Sequence, residues 1–141
     1  MKTLTRYQPH VLSLLRMVAA YVFILHGTVK MFGWPSEPRA PFELFTMNGA
    51  AGVLEVFGGL LLFLGLGTRP VAFLLAGQMA VAYFTVHARN GSALLPIENG
   101  GESPVLLCFI FLFFVFAGPG AWALDHVLGR RTGLQMQPDR A

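Results

Sequence analysis

An all-α integral membrane protein, built as a four-helix bundle, is the fold class this sequence predicts. Three observations carry it. The 141 residues are 55% hydrophobic and only 12% charged, with a mean hydropathy of +0.60, whereas soluble domains run near a quarter charged. Four apolar stretches reach or approach the length that crosses hydrocarbon, roughly 20 residues with about 17 as the lower limit. They are apolar nearly all round, where a helix of a soluble bundle keeps a charged face.

The first span covers about 11–32. Lys2 and Arg6 precede it, but the apolar run is too long for a signal peptide and no small-residue cleavage site follows it, so a retained helix is expected. The segment SEPRAPFELFTMN, 36–48, carries Phe42, Leu44, Phe45 and Met47 among polar residues. It is expected to form a short interfacial helix after the first span. The second span covers about 49–66, and GLGTRP at 65–70 makes a tight turn into the third, about 70–88. A polar, Gly-rich loop, ARNGSALLPIENGGE, occupies 88–102.

The fourth span, about 102–117, is the shortest, and is expected to thin the bilayer or stand upright. Ser103 suits its cap and Pro104 its first helical position. After GPG at 118–120, AWALDHVLGRR reads as an amphipathic C-terminal helix on the membrane surface, about 120–129. Residues 1–129 then form one domain, and 130–141 a flexible tail.

Four spans place both termini on one side. The N-terminal segment, the 65–70 turn and the C-terminal segment hold Lys2, Arg6, Arg69, Arg130, Arg131 and Arg140. The other side holds Lys30, Arg39 and Arg89 beside Glu37, Glu43, Glu98 and Glu102. The positive-inside rule therefore predicts cytoplasmic termini. Trp34 and Trp122 fall at opposite interfaces, as aromatic belts do.

The net charge of +3 is spread along the chain without a basic run, which argues against nucleic-acid binding. The lone Cys108 lies in an apolar run and forms no disulfide framework; it reads as a small hydrophobe. No histidine or carboxylate pairs have zincin, di-iron or P-loop spacing, so no metal site is expected. A transmembrane haem is not expected either, because His26 and His87 differ in depth while His10 and His126 lie at the opposite interface. No flavin motif is evident.

Polar residues within such helices are expensive and therefore informative. Arg16, His26 and Lys30 interrupt the first span, Glu55 the second, and Gln78, Tyr83 and His87 the third. Asn99 and Glu102 stand at the mouth of the fourth. Arg16, Phe23 and Lys30 recur every seven residues on one helix face, with His26 beside it. His26 and Glu55 each lie six residues inside a span end, about 9 Å deep, so the first span is expected to turn its polar stripe toward Glu55 and the third span. Lys30 and Arg16 can instead snorkel to headgroups. Tyr83 and His87 can be interfacial belt residues, and Gln78 can be helix–helix glue. Gly49, Gly52, Gly58 and Gly59 around Glu55 either let helices approach closely or leave room for a flat ligand. The run FIFLFFVF, 109–116, reads as lipid-facing bulk rather than an aromatic box.

The segments LLRMVAAYVFILHGTVKMFGW, LEVFGGLLLFLGLGTRP and ENGGESPVLLCFIFLFFVFAGPGAWALD resemble the DoxX family of small bacterial membrane proteins over about 11–126. Arg16, His26, Gly27, Lys30 and Gly33 carry the likeness, with Glu55, Gly58 and Gly59. Asn99, Gly100, Gly101 and Glu102 follow, and Gly118, Gly120, Leu124 and Asp125 close the pattern. The family is similar to the membrane subunit of a thiosulfate:quinone oxidoreductase. The resemblance implies a bacterial inner-membrane protein whose polar site comprises Arg16, His26, Lys30, Glu55, Asn99 and Glu102.

The function this favours is a quinone-interacting subunit of a membrane redox system. His26 and Glu55 would relay protons; Arg16, Lys30, Gln78, Tyr83, His87, Asn99 and Glu102 would line the binding site. Lys30 and Arg39 could meet an anion such as thiosulfate at the outer mouth. The chain shows no electron carrier of its own, so another redox subunit or a substrate would supply electrons. A non-catalytic scaffold that recruits a redox partner, and a small-solute or proton transporter, remain as alternatives. The expected partners are the lipid bilayer, a redox subunit and further copies of the chain.

Overall fold

The computed structural model describes residues 2–37 and 41–131. Those residues form α1 (Lys2–Thr5), α2 (Gln8–Phe32), α3 (Met47–Leu64), α4 (Thr68–Ala82), a π-helical turn (Tyr83–His87), α5 (Pro96–Asn99), α6 (Glu102–Ala117) and α7 (Leu124–Arg131). No strand occurs among them. The long helices α2, α3, α4 with its π turn, and α6 run up and down as a membrane bundle. The first three are long and apolar enough to cross a bilayer. The 16 residues of α6 span only about 24 Å against a hydrocarbon core of about 30 Å. Arg39 and the tail from 132 onward lie outside the described residues.

Local chemistry sets the ends. Pro9 sits in the first turn of α2, where its missing N–H removes no helical bond. Gly33, at φ 65°, closes that helix. The Thr46 hydroxyl caps α3 by accepting from Gly49 N at 3.1 Å. Among the described residues of 36–48 the expected interfacial helix is not found: 41–46 are coil and turn, and helix begins only at Met47, while 38–40 lie outside the description. Pro35 and Pro41 remove donors there, and the Thr46 cap imposes a fresh start. Ser103 does not cap α6 either. Gly101 occupies that position, held by its own N–H on the Asn99 side-chain oxygen.

Packing is uneven around the bundle. α2 lies along α3, and α4 along α6, while α2 and α6 barely touch. Glycines allow the first of these approaches. A Cβ on Gly27 would stand 2.9 Å from Gly52 O, and one on Gly59 would stand 2.7 Å from Ile24. The glycines near Glu55 therefore serve close helix contact, not a flat-ligand slot. Phe23 and Phe111 meet edge to face at 4.9 Å in the core. Of the Phe-rich run, Phe111 and Phe114 are buried, whereas Phe109, Phe113 and Phe116 face outward.

The described N- and C-terminal segments and the α3–α4 turn share one end of the molecule, here the terminal end. Ala121 N donates to Pro9 O, and Asp125 N to Gly65 O, each at 2.9 Å. The amphipathic C-terminal helix is present as α7, four residues later than the 120 expected, because GPG and residues 121–123 are used to reach α2 and α3.

Candidate functional site

The sequence marks nine polar residues, and the structure sorts them into separate groups. One group is a polar cluster inside the far half of the bundle. Glu55 is 2% exposed, and its Oε1 pairs with the Lys30 ammonium. Gln78, arriving from α4, donates its Nε2 to the same Oε1 at 3.2 Å and to Ala51 O at 3.3 Å. Three helices thus converge on one carboxylate. Gly27 and Gly52 make this possible, since the bare backbone lets α2 and α3 close around the Glu55 Cβ.

Two acceptors in the cluster are left over. Glu55 Oε2 and Gln78 Oε1 are buried and have no donor among the described residues. Buried polar atoms in native proteins are nearly always satisfied, so such atoms mark a place for a proton, a water or a ligand hydroxyl. The Lys30 side chain is 29% exposed and forms the link between this interior and the membrane face.

His26 does not join the inward stripe. It is exposed on α2, one turn before Lys30, and makes no hydrogen bond among the described residues. Successive helical residues are about 100° apart, so His26 lies that far round the axis from the buried Gly27. Helix spacing leaves Glu55 within reach of either His26 or Lys30, and the carboxylate meets Lys30.

Arg16 lies about 21 Å of helix axis from Lys30, at the terminal end. It is fully buried. Its Nε donates to Pro119 O at 2.9 Å, and its remaining nitrogens donate to Leu62 O, Phe63 O and Trp122 O. These acceptors are carbonyls of the last turn of α3 and the loop after α6, which a planar guanidinium with five donors suits. Arg16 is neither a snorkelling residue nor part of the far-half cluster.

Tyr83, His87 and Asn99 form a third group, built on the π turn. Tyr83 OH donates to Ala93 O at 2.8 Å and accepts from Asn99 Nδ2 at 3.2 Å. Asn99 Nδ2 also donates to Ser92 O, and His87 Nδ1 donates to Asn99 O at 3.2 Å. This clasp ties the 88–101 loop to the end of the third span. The i to i+5 bond from Ala88 N to Tyr83 O, at 2.8 Å, shifts the ring positions by one residue and aims them at the loop. Glu102 is exposed in the first turn of α6, where the helix dipole favours a carboxylate.

One residue carries a role that spacing alone did not reveal. The Asp125 carboxylate accepts from Gly67 N at 2.7 Å and Thr68 N at 3.0 Å, so α7 supplies the N-terminal cap of α4. Burial raises the Asp125 carboxyl, but the amides of Thr68 and Gly67 outweigh it and hold it below its ordinary value. The sequence signal was a lone acid in a basic amphipathic helix; only the fold shows what it caps.

The DoxX family model matches residues 11–88. An "Uncharacterized protein" of Haemophilus influenzae is 46% identical over 135 residues, covering 89% of this chain and 96% of that relative. "Inner membrane protein YphA" of Escherichia coli is 29% identical, over 84% and 91% of the two chains. A Bacillus subtilis protein named "Putative oxidoreductase CatD" is 28% identical, over 85% and 90%. No solved structure matches. A membrane bundle of this topology, and a family match across more than half of its length, lead to one conclusion: the chain belongs to the DoxX family.

Proposed function

We propose that this protein is a quinone-interacting subunit of a membrane redox system, with both termini in the cytoplasm. One observation carries the reading: two buried acceptors, Glu55 Oε2 and Gln78 Oε1, lack a donor beside a lysine already paired with that carboxylate. A quinone head supplies complementary groups. Lys30 and the exposed His26, one turn apart, donate to its carbonyls, and the free acceptors receive the hydroxyls of its reduced form. The exposure of His26 supports an approach from the membrane side of α2. Glu55 exchanges a proton with Lys30 and passes it to the head group, the ordinary work of a positioned acid and base. A partner subunit or a substrate delivers the electrons. The name of the Bacillus subtilis relative supports an oxidoreductase setting. Against a proton or solute path, the fully buried charged side chain of the terminal half among the described residues is Arg16, whose donors are held by carbonyls.

Protein purified in mild detergent is expected to retain quinone in its organic extract, and Lys30→Ala or His26→Ala to lower the amount per mole of folded protein. Wild-type protein free of quinone, together with normal quinone reduction in cells lacking it, would leave the non-catalytic scaffold. For orientation, in a Cys108→Ala background, Ser36→Cys and Ser92→Cys should label from outside intact cells and Ala121→Cys should not. External labelling at 121 would reverse the topology.

A further inference from the structure

A groove of about 1010 Å³ opens at the terminal end, between α2 and α6 and away from the Lys30 cluster. It exists because those two helices barely touch and because α6 ends at Ala117, where GPG turns the chain away. Leu12 and Leu15 form one wall, and Phe113 and Ala117 the other. An opening between two membrane helices admits a hydrocarbon chain from the bilayer.

The polar end of the groove is cationic. Arg69 and His126 line it, and no aspartate or glutamate does. Arg69 Nη1 donates to Val115 O at 2.9 Å, which fixes the guanidinium across the end of α6. Its Nε and Nη2 have no acceptor among the described residues. Gly118 keeps that side open: a Cβ there would stand 3.4 Å from Arg69 Nη2. A second guanidinium, that of Arg6, sits 5.7 Å from the ring centre of Tyr7, another lining residue. Asp125 forms no ion pair with Arg69 among the described residues; its oxygens accept from Gly67 N and Thr68 N. Arg69 lies in the first turn of α4, at headgroup depth.

We infer that this groove is a binding site for an anionic phospholipid, with its phosphate on Arg69 and an acyl chain along Leu12, Leu15 and Phe113. The fork of two free N–H groups matches two phosphate oxygens. A basic pocket between membrane helices at a headgroup surface is the setting in which acidic lipids are selected over neutral ones. The site is independent of the quinone reading.

The test places the full chain in nanodiscs containing equal phosphatidylglycerol and phosphatidylcholine, then counts lipids retained after gentle detergent extraction by native mass spectrometry. Wild-type protein should retain phosphatidylglycerol about tenfold over phosphatidylcholine, the discrimination expected of one charge-assisted pair. Extraction in 1 M salt should abolish the preference, a readout that needs no variant. Arg69→Gln should lower phosphatidylglycerol to the phosphatidylcholine level, and Leu15→Trp should lower both by filling the groove. Equal retention of the two lipids by wild type, an unchanged preference in folded Arg69→Gln, or recovery of quinone in place of phospholipid from this groove would each overturn the assignment.

Discussion

Removing Lys30 should destabilise this bundle more than removing Glu55, and removing both should restore most of the loss. The asymmetry follows from exposure. Lys30→Met strands a carboxylate that is 2% exposed and leaves it only the Gln78 amide. Breaking a buried pair in this way costs about 3–5 kcal/mol. Glu55→Leu strands a lysine whose side chain is 29% exposed and whose stem can carry the ammonium outward. Its loss should be nearer about 1–2 kcal/mol, that of an unsatisfied polar group. The double variant puts two apolar side chains in their place, which is often nearly neutral. The coupling from the cycle should therefore exceed about 2 kcal/mol. That threshold matters because ordinary hydrogen bonds between membrane helices couple by about 0.6 kcal/mol and at most about 1.7. Unfolding of the four proteins in mixed micelles, followed by helical circular dichroism, gives the cycle. A coupling at or below about 0.6 kcal/mol would refute the claim that this ion pair organises the far half.

Because the folded Asp125 carboxyl sits below its ordinary 3.8, its contribution is present above that value and lost as pH falls through the lower folded one. Hydrogen exchange at the Gly67 and Thr68 amides should accelerate only in that acid range, and Asp125→Asn should flatten the dependence. Arg16→Lys should not be conservative: one ammonium cannot serve carbonyls of Leu62, Phe63, Pro119 and Trp122. A loss of at least about 2 kcal/mol is expected, with faster proteolysis at 118–124 and unchanged labelling at Ser92→Cys. Gly27→Ala should destabilise by about 1–3 kcal/mol, since its Cβ would meet Gly52 O at 2.9 Å. Gly77→Ala, with nothing within 4 Å, should stabilise by about 0.5–1 kcal/mol. Thermal unfolding separates the two.

Period and composition settled what lies in the membrane. Hydrocarbon demands a run of apolar residues with internally satisfied backbone, so the spans were legible within a few residues, and α6 matched 102–117 residue for residue. The same reasoning found the expensive groups, and seven-residue spacing put Arg16, Phe23 and Lys30 on one buried or half-buried face. It could not assign partners. Depth follows from counting along a helix, but azimuth depends on which neighbour packs where, and 100° per residue separates an exposed His26 from a buried Gly27. Tyr83 and His87 read, with Asn99, as candidates for a ligand site because the π turn that aims the two rings at the 88–101 loop has no sequence period. Arg16 and Asp125 had to wait for the fold as well. Their partners are backbone carbonyls and amides from segments between 46 and 106 positions away, and backbone groups carry no residue type for a sequence to display.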